Sequence, residues 1–336
     1  MRIWPGFGAG VGVGLILLGL VNAALFNDWI IQRYGAVFAV GRAMDKQLFT
    51  EKTCPQILIM GNSRVDNGVD PRAMQSEWGT TRETFNLGIP GTNARIGYGM
   101  LTRLEQAGCL AKGKLQLVVI GLDESYLQND DSLGYATFFA DSEALLDEGA
   151  IKTWLGTWLK LWAYTDNLRQ LREPDKALRF VEATIKPLEP VGGAAWRHLG
   201  YRAGFGATNQ NEAQAQQQEE GADIPPTPVV QDYLFKITKI LQQHNISVAV
   251  SFPPLLNRSS AYADPARANG AYFPLSARLK ENGVYVISQP DPVPRQRAYF
   301  FNAGHLSDKG AQIYSRWLAK ELEAKWNWLS VEGQPK

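Results

Sequence analysis

Five short runs of buried-type residues, each closing on a polar, proline or glycine turn, constrain this chain more than any other feature. They occupy residues 56–60, 84–89, 116–122, 247–252 and 284–287. Between them lie helix-period segments. Residues 94–107 place Ile96, Met100, Leu101 and Leu104 on one face, 230–243 and 272–281 read as helices, and the last helix, from Ser307, aligns Tyr314, Trp317, Leu318 and Leu322. Asp70 caps a further short helix whose first residue is Pro71. Strands that alternate with helices imply a parallel sheet covered on both faces, an α/β fold. Ligands in such folds gather at the carboxyl edge of the sheet.

The alternation is interrupted between 129 and 229, which reads as an insertion. Within it Trp154, Trp158 and Trp162 recur at i, i+4 and i+8 beside Leu155 and Leu159. The spacing predicts a helix with an aromatic stripe. Three settings suit such a stripe: a buried core, an interfacial helix at the headgroup level of a membrane, or a sugar-binding platform. Residues 204–228 are rich in Gln, Asn, Glu, Gly and Pro and read as a mobile surface loop.

The amino terminus sets the compartment. From Ile3 to Phe26 there is no charged residue, a length that spans a bilayer, and Arg2 with the α-amino group precedes it. Residues 1–27 therefore read as a single transmembrane anchor in the inner (cytoplasmic) membrane. Residues 28–53 read as a juxtamembrane linker and helix, and 54–330 as a globular domain on the periplasmic, extracytoplasmic side. Val21-Asn22-Ala23 also has the small-x-small form of a signal-peptide cleavage site. The anchor is favoured because apolar character continues through Leu25 and Phe26 and resumes at Trp29-Ile30-Ile31. A formal net charge of +1 argues against a polyanion binder, so no nucleic-acid partner is expected. The three histidines, at 198, 244 and 305, and the two cysteines, at 54 and 109, form no metal-ligand spacing, and neither metal nor cofactor is expected.

Two positions carry candidate chemistry. The first strand runs directly into Gly61-Asn62-Ser63-Arg64, which delivers a serine to the carboxyl edge of the sheet. Asn302-Ala303-Gly304-His305 stands just before the last helix, in a loop expected at the same edge. A serine hydroxyl is a weak nucleophile until an adjacent base accepts its proton, and neutral imidazole does that near pH 7.

In this order the parts resemble the SGNH/GDSL hydrolase superfamily. Gly61-Asn62-Ser63 resembles the serine block and Asn86-Leu87-Gly88 the glycine block. Gly121-Leu122-Asp123-Glu124 stands in the place of the Gly-x-Asn block, and Asn302 to His305 in the place of the Asp-x-x-His block. The resemblance implies a three-layer, flavodoxin-like sheet of order 2-1-3-4-5. It implies Ser63 as nucleophile, His305 as general base, and the N–H groups of Ser63 and Gly88 in an oxyanion hole. Two blocks depart from the pattern. Asn302 replaces the aspartate that orients the base, and Asp123 replaces the oxyanion-hole asparagine. Arg64 is placed to pair with Asp123 or Asp66, or to contact an acidic substrate. In the implied sheet order the strands after Cys54 and Cys109 are neighbours, with both cysteines at their amino-terminal ends, so a disulfide is expected.

The anchored architecture is similar to exported superfamily members that serve O-acylation of surface polymers, such as the teichoic-acid D-alanyl transfer and alginate O-acetylation proteins. That likeness implies an acyltransferase or esterase acting on a surface polysaccharide, with a multi-pass membrane acyltransferase as partner. The alternative is a catalytically degenerate scaffold of a polysaccharide-synthesis complex.

Overall fold

The computed structural model describes residues 4–34, 39–80, 82–128, 133–162, 164, 170–186, 198–207, 226–256 and 273–330. Most of the glutamine-rich stretch read as a loop, 208–225, lies outside them. The chain divides into two units, one of Met1–Asp45 with Ser132–Val191, the other of Lys46–Asp131 with Gly192–Lys336.

The larger unit is an α/β sandwich. Its strands are β1 (Ile57–Met60), β2 (Thr84–Asn86), β3 (Leu117–Gly121), β4 (Ser247–Ser251) and β5 (Tyr285–Val286). They form one all-parallel sheet in the order β2-β1-β3-β4-β5. Every residue of β1, β2 and β3 is buried, which explains why the β1 and β3 runs show no polar alternation in sequence. Successive side chains point to opposite faces. Ile57, Ile59, Leu117, Val119 and Ala249 therefore share a face, and they pack with Met74 and Trp78 of α5 (Pro71–Trp78) and with Tyr314, Leu318 and Leu322 of α13 (Asp308–Lys325). On the other side α11 (Pro228–Gln243) packs on β4 and against α6 (Ala94–Gln106).

Local chemistry sets the helix ends. Asp70 accepts from the Arg72 N–H ahead of Pro71, and Gly79 closes α5 in the left-handed conformation. Ser307 caps α13 by accepting from the Gly310 N–H. Cys54, after α3 (Ala39–Thr53), is bonded to Cys109, ahead of β3, which agrees with the expected pairing. A crosslink between cysteines 55 residues apart contributes about 4 kcal/mol in the chain-entropy model.

His305 lies on neither a sheet strand nor a plain loop but on a separate two-stranded antiparallel ribbon, β6 (Phe300–Asn302) and β7 (His305–Leu306). Strands of two or three residues are too short to show a period, so nothing in the hydrophobic pattern announces them.

In the smaller unit α1 (Trp4–Leu25) contains the one segment among the described residues that is long and apolar enough to cross a membrane, Gly8–Leu25, with mean hydropathy 2.0. It is followed by α2 (Asp28–Arg33), and the insertion supplies α7 (Leu133–Phe139), α8 (Ser142–Asp147), α9 (Ile151–Trp158) and α10 (Pro174–Ile185). Phe26 and Tyr164 are buried with their ring centroids 5.2 Å apart, and Phe138 meets Tyr164 edge-on at 5.3 Å. The tryptophan helix is interrupted, because α9 stops at Trp158 and the chain is helical again from 160 to 162. Trp158 and Trp162 are 65% and 43% exposed, so the stripe is not core.

Candidate active site

The site is assembled at the carboxyl ends of β1 and β3. After β1 the chain turns through Gly61, whose φ of +154° and close packing exclude a side chain: an added Cβ would press on Val65 and stand 2.9 Å from the Gly121 carbonyl oxygen. The turn leads into α4 (Ser63–Asp66), with Asn62 as N-cap accepting from the Arg64 N–H at 3.0 Å. Ser63 thus opens a short helix at the sheet edge and is half-buried.

Ser63 and His305, 242 positions apart, meet here. His305 Nε2 stands 2.8 Å from Ser63 Oγ, and His305 Nδ1 stands 2.8 Å from Asn302 Oδ1. Asn302 Oδ1 also accepts from the Gly304 N–H at 3.0 Å. That second contact decides the tautomer. A backbone N–H only donates, so the amide atom facing it is the oxygen, and the same oxygen requires a proton on Nδ1. Nε2 is left with its lone pair toward Ser63, the arrangement a general base needs. Asn302 therefore does by geometry what an aspartate does by geometry and charge.

The missing charge is visible in the base. Burial pushes His305 down to about 4, the Arg64 guanidinium pushes the same way, and Asp123 and Asp66 oppose them. The imidazole is neutral at any pH well above that value. Reactivity that depends on His305 as base is accordingly expected to stay level from neutral pH downward and to fall only as the pH passes through about 4. A rate profile of Ser63 modification with an acid limb near the ordinary histidine value of 6.5 would contradict this. The change Asn302→Asp keeps the acceptor for Nδ1 and restores a negative charge. It is expected to move that acid limb upward by about 1–2 pH units, and an unmoved limb would count against the assigned contact.

Asp123 is fully buried, and its carboxylate is taken up by neighbours. Asn62 Nδ2 donates to both of its oxygens at 2.8 Å, Ser125 Oγ and the Tyr126 N–H donate to Oδ1 at 2.8 and 2.9 Å, and Arg64 Nε lies 3.4 Å from Oδ2. Asp123 holds the strand-end loops together as an acceptor and brings no donor to an oxyanion. Gly88 departs from expectation in a similar way, since its N–H donates to Asn86 Oδ1 at 2.8 Å. The glycine itself is required by proximity: a Cβ there would lie 2.6 Å from the Asp66 nitrogen. Of the two backbone donors expected at an oxyanion, the Ser63 N–H keeps its position at the head of α4, where the first amides have no carbonyl within the helix to meet.

Arg64 pairs with Asp123, and its closer contact is Glu124, at 3.0 Å from Nη1 to Oε2. Burial raises the Glu124 carboxyl above its ordinary range while Arg64 draws it back. Asp66 is instead bound by Lys46 of α3, whose Nζ lies 2.6 Å from Oδ1 and 2.5 Å from the Gly88 carbonyl oxygen, with both side chains almost wholly buried. Nothing in the sequence marks Lys46, one of two lysines in α3. Asn86 makes a second tie. Its Nδ2 donates to the carbonyls of Val65 and Val69, which fixes the chain leaving α4 against the end of β2. Its place in the Asn86-Leu87-Gly88 block was the available signal.

Comparison with protein-family models found no match, and a search of curated proteins likewise found none.

Proposed function

We propose that this chain is a membrane-anchored, extracytoplasmic serine acyltransferase or esterase of SGNH type, acting on hydroxyl groups of an exported or surface polysaccharide. The observation that carries the reading is the Ser63–His305–Asn302 relay, with its tautomer set by the Gly304 N–H. Ser63 Oγ attacks an acyl carbonyl as its proton passes to His305 Nε2. The tetrahedral intermediate collapses, the leaving group takes that proton, and Ser63 holds the acyl group. A sugar hydroxyl, or water, then gives its proton to Nε2 and attacks the ester, and that proton passes to Ser63 Oγ as the serine leaves. The α/β sheet of order β2-β1-β3-β4-β5 agrees with the flavodoxin-like arrangement of that family, and the apolar α1 agrees with an inner-membrane anchor. Transfer from a cytoplasmic donor requires a multi-pass membrane acyltransferase as partner, because one span offers acyl groups no route across the bilayer.

The test is covalent labelling of the folded full-length chain by a fluorophosphonate. Labelling of the wild type and none of Ser63→Ala supports the reading, and an unlabelled wild type beside a labelled control hydrolase overturns it. Asp123 in place of a donor and the engaged Gly88 N–H favour a second reading, a scaffold of a polysaccharide-synthesis complex that has lost its chemistry. Unchanged acetyl content of the surface polymer in cells carrying Ser63→Ala would select it.

A further inference from the structure

Apolar side chains stand uncovered on two helices of the smaller unit. Leu155, Trp158 and Trp162, on α9 and just beyond it, are 39%, 65% and 43% exposed; Leu178, Val181 and Ile185 of α10, at i, i+3 and i+7, are 61%, 54% and 76% exposed. The i, i+3, i+7 spacing puts the α10 residues on one face of the helix. A row of large apolar side chains left exposed on a helix face marks an interaction surface.

One segment is fastened to the carboxyl end of α1, the other to the end of α2, the short helix that follows it. Asn22 Nδ2 donates to the Trp158 carbonyl at 2.8 Å, and Asn22 Oδ1 accepts from the Leu161 N–H at 3.0 Å. Asn22 is three residues from the end of the apolar segment Gly8–Leu25, about 4.5 Å along the axis at the helical rise. At the other attachment Arg33 Nη2 donates to the Thr184 and Lys186 carbonyls at 2.8 and 3.1 Å, and Tyr34 stacks on Phe180 with centroids 4.4 Å apart. A chain segment bonded to the last turn of a bilayer span lies at the headgroup level. Tryptophan favours that level, with its ring in the acyl boundary and its N–H in the wet zone. From 151 to 162 the chain carries two lysines and no carboxylate, which suits a layer of phosphates.

We infer that α9 and α10 form an interfacial collar around the exit of α1, with Trp158, Trp162, Leu178, Val181 and Ile185 embedded in the phospholipid surface that α1 leaves. This rests on the α1 span of the proposed function and not on the chemistry of Ser63. Of the three settings open to the tryptophan stripe, it selects the membrane surface.

The test uses the full-length chain reconstituted without any other protein into nanodiscs of phosphatidylethanolamine and phosphatidylglycerol. Both native cysteines are held in the disulfide, so single cysteines introduced as Trp158→Cys, Leu178→Cys and Ile185→Cys take an environment-sensitive fluorophore selectively. Leu15→Cys in α1 and Lys176→Cys, on the face of α10 away from Leu178, serve as references. Lipid carrying a shallow nitroxide is expected to quench the three collar probes about twofold or more relative to Lys176→Cys, with little quenching by aqueous iodide. Collar probes quenched by iodide and not by lipid overturn the inference, as do probes shielded from both, which would mean contact with protein or a second copy. A Leu15→Cys probe that lipid carrying a deep, acyl-chain nitroxide fails to quench overturns the span itself, and the collar with it.

Discussion

Replacing His305 by alanine is expected to slow acylation of Ser63 by about 10²–10⁴-fold, the usual worth of a positioned general base. The loss should lie in the chemical step, because His305 reaches Ser63 Oγ through Nε2 while its other nitrogen is turned inward to Asn302. The same measurement on Asn302→Ala separates orientation from proton transfer. Without the Oδ1 acceptor nothing fixes the proton on Nδ1, and the wrong tautomer presents an N–H to the serine. A comparable defect in another serine triad costs about 10⁴-fold. Burst kinetics with an activated ester give acylation and deacylation rates separately, and both should fall in His305→Ala, since in the proposed mechanism the base serves both half-reactions. A variant that folds normally and acylates Ser63 at the wild-type rate would remove His305 from the mechanism.

Lys46→Met is expected to lower the unfolding free energy by about 3–5 kcal/mol. The pair it breaks is almost wholly buried, so the change takes the Lys46 cation from a carboxylate in the interior and a donor from the Gly88 carbonyl. Breaking the exposed pair Lys186–Glu182, at 3.3 Å, should cost no more than about 0.5 kcal/mol. The contrast separates burial from charge. Urea unfolding of the two single variants and of Lys46→Met with Asp66→Asn measures it, and the double variant is expected to recover part of the loss by removing the stranded charge. If Lys46→Met unfolds at the wild-type midpoint, the pair is not the tie between α3 and the loops after β1 and β2 that its contacts describe. Its position gives the result a functional side, because Asp66 closes the helix that Ser63 opens and Gly88 sits against that helix.

Much of this arrangement was written locally. The β1 and β3 runs, the Asp70-Pro71 cap and the glycine before Asn62-Ser63 each follow from neighbours a few residues away, through burial period, fixed proline geometry and the backbone freedom of Gly61. Ser63 and His305 were legible for the same reason, as strand-end and helix-entry residues whose chain order implied one edge of one sheet. The Cys54–Cys109 bond became legible once the sheet order was supposed, because that order makes β1 and β3 neighbours.

What only the tertiary structure decided is how groups distant in sequence divide the polar contacts. Lys46 and Asp66 are twenty residues apart, and neither stands in a pattern that names the other. Arg64 had two candidate carboxylates within reach by sequence, and packing assigned Asp123 and Glu124 to it and Asp66 to Lys46. The Gly304 N–H that sets the tautomer of His305 depends on the turn between β6 and β7, strands too short to leave a trace in hydropathy. Hydrophobic period is a property of consecutive residues and reports which face is buried. A hydrogen bond depends on where two atoms end after the chain has closed, and that is set by the packing of the whole unit.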